Sequence, residues 1–485
     1  MAETFIELIP ISKILSHTRF LVTLRSVEGN YRSLLLFRLA SSTLHDNMGH
    51  SDSQALDARP TSDQLYVMES ACPHLGADMS HADIEEAETG LVAVCPWHRY
   101  DFDMRTGKSE TGLRACTYKV VIRPSVSSQG TESVWIEQPD EGTNWRLVEF
   151  RPVSEEFADP PLVSNRSSSL VSAGQAIDLI TLKEEIVPAE NPPKTLIQWA
   201  VLILNTSHPQ LKVERTRHAV NLFRSGKLSS IGRSSAAPSP PDVPPREDCM
   251  RFVDPGHAAK RKGRPAMLHA LANIEQWAID LAWDVIARFG PTNPTLPHQF
   301  FSDFSKVALD EAKHFSLLLS RLNDLGTPYG SLPIHAALWE SATTTAHSLR
   351  SRLAIVHLVH EARGLDVNPS TIAKFRRQGD EDSVRALEII HADEVTHVTA
   401  GHRWFTFVCR EQGVDPVATF REEVRNHFSG KLKGPFNVDD RERAGLTRDF
   451  YEDLAGEMKR PTSPKPSAQQ PDNSSDAQVP VKYDS

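Results

Sequence analysis

Apolar and polar side chains alternate over two short stretches near the N-terminus, FLVTLRS (20–26) and RSLLLFRLA (32–40), separated by the turn-rich VEGNY. Branched and aromatic residues favour extended backbone, so the pattern predicts two strands. A polar stretch runs from Ser41 to Gln64. Further runs then predict strands: LYVMES (65–70), LVAVC (91–95), RACTYKVVIR (114–123) and ESVWIEQ (132–138). Together they describe a small all-β domain whose loops carry the reactive residues.

From Arg151 to Pro188 the texture changes. Asp159-Pro-Pro and a serine run near Asn165 predict a linker with one short helix. A helical piece at 209–225 precedes SSAAPSPPDVPPRED, where closely spaced prolines remove backbone donors and argue against helix or central strand. Beyond it, apolar residues three and four apart predict four long helices, over 265–289, 299–325, 333–363 and 380–409. Pro265 and Pro333 suit first turns, and Gly326 and Gly364 suit helix ends. Helices of this length, about 37 Å for 25 residues, pack into a four-helix bundle. The expected fold class is therefore multidomain α+β, an all-β domain followed by a helical bundle. The Pro-, Ser- and Gln-rich tail, residues 456–485, is expected to be disordered.

Composition narrows the function classes. The 485 residues carry 63 acidic and 53 basic side chains, a net charge of −10, which argues against a broad nucleic-acid footprint. Five cysteines are too few and too scattered for a disulfide scaffold. Met1 to Ile14 does not read as a secretory signal, and no apolar run has the length of a membrane span. The expectation is a cytoplasmic protein without a membrane span.

Two loops stand out. Cys72-Pro73-His74-Leu75-Gly76 and Cys95-Pro96-Trp97-His98 each place a cysteine and a histidine beside a strand. Two thiolates and two imidazoles fit a tetrahedral zinc site, or a two-iron, two-sulfur cluster with one iron on the cysteines and the other on the histidines. With Phe102-Asp103 and Thr106-Gly107 downstream, residues 14 to 145 resemble the Rieske [2Fe-2S] domain family. The resemblance implies that Cys72 and Cys95 hold the buried iron, and His74 and His98 the outer one. Many relatives have glycine after the second histidine, where Arg99 stands; its guanidinium could tune the cluster, meet an acidic partner or point to solvent. Cys116 is expected to be a buried thiol in a strand.

The helices hold a second set. Glu275 shares a face with Leu271, Ile274, Ala278 and Leu281, a face expected to be buried. Glu311 and His314 lie in Asp-Glu-Ala-Lys-His, Glu361 lies in the third helix, and Glu394 and His397 lie in Asp-Glu-Val-Thr-His. A Glu and a His three residues apart stack on one helical face. One Glu from each of two helices and a Glu-x-x-His from each of the others make the six-ligand set of a di-iron or di-manganese site. Four buried carboxylates need compensating charge, and two divalent ions supply it.

Residues 195 to 455 resemble an uncharacterised ferritin-like family of unknown function, through HALANIEQWAIDLAWD, DEAKHFSLLLSRLNDLGTPYGSLPIH, EARGLDVNP, DEVTHV and LKGPFN. They are distantly similar to di-iron hydroxylases acting on modified tRNA. The resemblance places metal ligands at Glu275, Glu311, His314, Glu361, Glu394 and His397, the four glutamates at the catalytic centre. By analogy with bacterial di-iron monooxygenases, Asp310 orients His397 and Asp393 orients His314; the alternative is that both acids face solvent. His269, His357, His360, His391 and Tyr329 are weaker candidates outside the ligand count, and Lys431 to Phe436 form either a basic lip over the pocket or a loop stop. Residues 146–194 are expected to form a linker between the two domains.

The fusion is the informative feature. A di-iron centre that activates O2 needs electrons, and a Rieske cluster on the same chain delivers them one at a time at high effective concentration. The expected activity is an O2-dependent non-haem di-iron monooxygenase or hydroxylase of a small-molecule substrate. Its cofactors would be a [2Fe-2S] cluster and two iron ions, with an iron–manganese pair as the alternative. An external NAD(P)H-dependent reductase would supply electrons, within one chain or between chains of a homo-oligomer. Competing readings are a desaturase or oxidase, and a non-catalytic iron-, peroxide- or electron-handling protein.

Overall fold

The structure, a computed structural model, describes residues 5–39, 60–87, 90–128, 130–140, 142–153, 184–234, 236–258 and 263–454. The expected disordered tail (456–485) and most of the expected linker lie outside the described residues.

The N-terminal region, residues 5–152, is built on β-strands among the described residues. Strands β1 (Phe5–Pro10), β9 (Val120–Pro124) and β10 (Glu132–Glu137) form one antiparallel sheet in the order β1-β10-β9. A second holds β2 (Arg19–Arg25), β3 (Tyr31–Arg38), β4 (Leu65–Glu69), β8 (Thr117–Tyr118) and β11 (Arg146–Pro152), in the order β11-β2-β3-β4-β8. The third, β5 (Asp83–Ala87), β6 (Gly90–Val94) and β7 (Asp101–Asp103), is a meander. The unbroken run Leu34-Leu35-Leu36-Phe37 follows from β3 being covered on both sides. Leu34 and Leu36 pack with Phe20, Val22 and Leu24 in one core, while Leu35 and Phe37 pack with Met68, Cys72, Cys95 and Phe102 in the other. Residues 146–152, which the sequence pattern assigns to the linker, instead form β11 and pair with β2. Cys116, expected to be a buried strand thiol, is exposed and sits between strands.

The C-terminal half is a helical bundle. α1 (Leu196–Leu204) and α2 (Pro209–Arg224) brace α3 (Arg264–Phe289) and α4 (His298–Asp324), the most extensively packed pair. There follow α5 (Ala337–Thr344), α6 (Leu349–Ala354), a π-helical turn (Ile355–His360), α7 (Glu361–Arg377), α8 (Glu381–Glu411), α9 (Pro416–His427) and α10 (Val438–Arg443). Thr195 and Asp380 cap α1 and α8 with side-chain acceptors, which satisfies backbone donors of the first turn.

The single helix predicted over 333–363 is divided. Ile334 forms a parallel bridge with Phe252 and exchanges backbone hydrogen bonds with residues 251 and 253, so Pro333 cannot open a helix. Ser348 accepts a hydrogen bond from the Ser351 N–H and starts a new helix. Gly364 does not end it; the helical backbone continues through Gly364 and Pro369 to Arg377. A β carbon at Gly364 would lie 3.8 Å from the Glu394 carboxyl, so the glycine keeps that space open without being required by the backbone.

Candidate metal centres

The two cysteine–histidine loops share one construction. In each, the residue four after the cysteine donates its N–H to the cysteine carbonyl: Gly76 to Cys72 at 2.8 Å and Arg99 to Cys95 at 3.0 Å. Both closing residues are left-handed, with φ of 76° and 59°. That conformation favours glycine, and Arg99 holds it while pairing with Asp83 and Glu85 (2.6 Å) of β5. The guanidinium is thus engaged within its own domain.

Cys72 and Cys95 are buried, whereas His74 is half-buried and His98 exposed. The thiols hydrogen-bond each other, which pulls Cys95 down to about 6 and pushes Cys72 up. The imidazole centroids are 4.8 Å apart, and His74 Nδ1 is buried without a hydrogen-bond partner. Thiol beside thiol and imidazole beside imidazole, inner and outer, is a donor set that fits a two-metal cluster with one metal on each pair.

In the bundle, α4 contributes Glu311 and His314, α8 contributes Glu394 and His397, and α3 contributes Glu275. Glu361 follows directly on the π-helical turn. Their ligand-type atoms gather into two overlapping sets, Glu275–Glu311–His314–Glu394 and Glu311–Glu361–Glu394–His397, each within 4.8 Å. Glu311 and Glu394 belong to both. Glu311 Oε2 lies 3.2 Å from His314 Nδ1, and its Oε1 lies 3.1 Å from His397 Nδ1, so one carboxylate faces both imidazoles.

The electrostatics fit metal. Burial, and then the charge of Glu311, push the Glu275 carboxyl well above its usual range; burial, and then Glu394, do the same to Glu361. This is an excess of negative charge that two divalent ions would offset. Glu311 Oε1, Glu394 Oε2 and His397 Nδ1 are buried close to one another but not in hydrogen-bonding geometry, which is unusual unless something further binds them.

Both outer imidazole nitrogens meet an aspartate. His314 Nε2 is 3.0 Å from Asp393 Oδ2, and His397 Nε2 is 3.4 Å from Asp310 Oδ2. An Nε2–H donated to the aspartate leaves Nδ1 turned toward the glutamates. Neither aspartate faces solvent. Burial alone would raise Asp310, but the charges of Arg151, Lys313 and His397 hold it well below the carboxylate range. Lys313 Nζ lies 2.6 Å from Asp393 and 3.2 Å from Asp310, and the Arg151 guanidinium reaches both.

The four glutamates open onto a cavity of about 340 Å3. Leu271, Ala278, Leu338, Val356 and Val367 make its walls apolar, with His360, Arg363 and Asn368 as polar points. Ile274, expected to be buried, is 40% exposed at this cavity. Among the weaker candidates, His391 pairs with Asp440 of α10 (3.1 Å), His269 accepts from the Gly330 N–H (2.9 Å) and Tyr329 donates to Gln276 (2.7 Å). Burial keeps His357 at about 3 and His360 at about 4, so both are neutral imidazoles near neutral pH. In the 431–436 loop the Lys433 carbonyl accepts from Arg363, and Phe436 packs on Tyr451. Sequence pattern missed Arg151 and Lys313 altogether. Lys313 was visible inside Asp-Glu-Ala-Lys-His, three residues after Asp310; Arg151 carried no signal, since one arginine near a strand end is ordinary.

Residues 205–452, half of the chain, match the family described as "Protein of unknown function (DUF455)". The chain belongs to that family. Residues 48–118 match the Rieske [2Fe-2S] domain, so the β half is a Rieske domain fused to the DUF455 bundle, which is ferritin-like. An uncharacterized protein of Haemophilus influenzae is 33% identical over 243 residues, 50% of this chain and 81% of that protein. The DUF455 bundle therefore holds a carboxylate–histidine cluster able to bind two metals beside a Rieske electron-transfer fold, the mark of a redox-active protein. No helix among the described residues is long and apolar enough to cross a membrane.

Proposed function

We propose that this protein is a non-haem di-iron monooxygenase that carries its own electron donor. When bound, the [2Fe-2S] cluster supplies single electrons and the two irons supply dioxygen activation. Cys72, Cys95, His74 and His98 hold the cluster. Glu275, Glu311, His314, Glu361, Glu394 and His397 hold the irons, Asp310 and Asp393 keep the histidines in register, and an iron–manganese pair suits the same ligands. The donor module ends after β11, and the oxygenase module spans 195–455.

The observation that carries this reading is the shared helix. α4 begins at His298, packed against Trp97 of the cluster loop (4.6 Å), and thirteen residues on it presents Glu311. At 1.5 Å per residue that is about 20 Å along the axis. The largely apolar cavity over the glutamates has the size to accept a small organic substrate, with His360 and Asn368 as its polar handles. An external NAD(P)H-dependent reductase in the cytoplasm would be the source of the electrons that the cluster, once bound by Cys72, Cys95, His74 and His98, would pass on.

Iron analysis with EPR on anaerobically reduced protein tests the reading. About four irons per chain are expected, two in the cluster and two in the bundle. Label from 18O2 retained in product supports the monooxygenase, whereas label found only in water identifies a desaturase or oxidase. Zinc at Cys72 and Cys95 would remove the electron-transfer role.

A further inference from the structure

β11 is the edge strand of its sheet, and its pairing with β2 is interrupted by a bulge between Leu147 and Glu149. A bulge re-aims the strand beyond it. Past this one, Glu149 and Arg151, two apart and therefore on one face, both engage the bundle. Glu149 accepts from Thr23 of β2 (2.9 Å), pairs with Lys306 of α4, and holds Arg151 Nε at 3.1 Å. The guanidinium is then fixed with Nη1 3.4 Å from Asp310 Oδ1 and 3.3 Å from Asp393 Oδ1, and Nη2 3.3 Å from Asp310 Oδ2.

Those aspartates come from different helices, and each meets the histidine of the other: Asp310 of α4 meets His397 of α8, and Asp393 of α8 meets His314 of α4. One side chain of the β domain thus touches both halves of the site. Without it, two buried carboxylates face each other with Lys313, besides the imidazoles themselves, as the close cation left among the described residues. Repulsion would turn them, and the imidazoles would lose the acceptors that hold their planes.

On the reading that the bundle binds two metal ions, we propose that Arg151 is a positioning residue: docking of the Rieske domain through its guanidinium sets the orientation of both imidazoles, His314 and His397. The acceptor site is complete only with the donor in place. Arginine suits this because its planar fork reaches two carboxylates at once, which a lysine does less well.

The test uses the full chain with its cluster intact, cleared of bundle metal by a chelator and titrated with Co(II), whose visible d–d bands report ligand geometry. Wild type is expected to take up two Co(II) per chain, lost in Glu311→Ala. Arg151→Gln is expected to bind about tenfold or more weakly with shifted bands and an unchanged Rieske EPR signal, and Arg151→Lys to recover part of both. In an Asp310→Asn/Asp393→Asn background, Arg151→Gln should add nothing further. Wild-type affinity and bands in Arg151→Gln, or an equal loss in the double-asparagine background, would overturn the proposal. Absence of Glu311-dependent Co(II) uptake in wild type would instead sink the di-metal reading, and this inference with it.

Discussion

The imidazole of His298, the first residue of α4, packs edge-on against the indole of Trp97, with ring centroids 4.6 Å apart. Trp97 lies between Cys95 and His98, and Phe223 of α2 stacks on the other ring at 4.9 Å. Gly226 completes the seat. A β carbon there would fall 2.2 Å from the Trp97 ring, and φ is 76°. The Cys95–His98 loop is therefore held against the bundle by close aromatic packing, and the Arg224–Asp78 ion pair at 2.6 Å adds to it from the loop after Cys72.

This seat should be sensitive to acid. Burial pushes His298 down to about 4 from 6.5, with Asp78 opposing the shift and Arg233 adding to it. Between those pH values the unfolded chain binds a proton that the folded protein does not. The contribution is complete above about pH 6.5 and is lost as pH falls toward 4. Melting temperatures from pH 7.5 to 5 should fall less steeply in His298→Phe than in wild type.

The two metal sites should be separable. Glu311→Ala or Glu394→Ala removes a carboxylate shared by both halves of the bundle site, so bundle metal should be lost while the Rieske spectrum persists. His98→Ala should do the reverse. Iron analysis and EPR on each variant check this, and joint loss of both signals would show that the modules do not assemble independently.

Asp393→Asn keeps an acceptor near His314 Nε2 but removes the charge that favours a donated proton. Metal affinity should fall about 10- to 100-fold, and Asp310→Asn should act similarly through His397. Competition with a chromophoric chelator measures it.

The cavity should be closable without harm to the metal site. Gly364→Leu places a side chain over Glu394 from a regular helical position, so bundle metal should be retained while small apolar ligands are excluded. Calorimetric titration of a binding ligand into both proteins provides the comparison.

Much of this is legible in the amino-acid sequence. Glu-x-x-His at helical spacing is a strong pattern, and the four residues it singles out are brought together with Glu275 and Glu361; Cys-x-His and Cys-x-x-His mark both cysteine–histidine loops. Elements with weak periodicity were not legible. β5, Asp-Ile-Glu-Glu-Ala, is mostly exposed and reads as polar loop, and β11 runs directly into residues that look like a linker. Long-range pairing was invisible too. Nothing local to Ile334 announces its bridge to Phe252, so the pattern predicts one helix where the structure has a bridge and shorter helices, and Arg151 is placed by a bulge with no local signature.

The π-helical turn at 355–360 carries a further consequence. Such a turn is a regular helix with a residue to spare, and each residue advances an α-helix by about 100°. Excising one position there would let α6 run straight into α7 and swing everything downstream around the axis. Glu361 would leave the cavity, and the helix would be more regular for its absence. One carboxylate of the cluster is thus aimed by an irregularity in the backbone, which a smoother chain would erase.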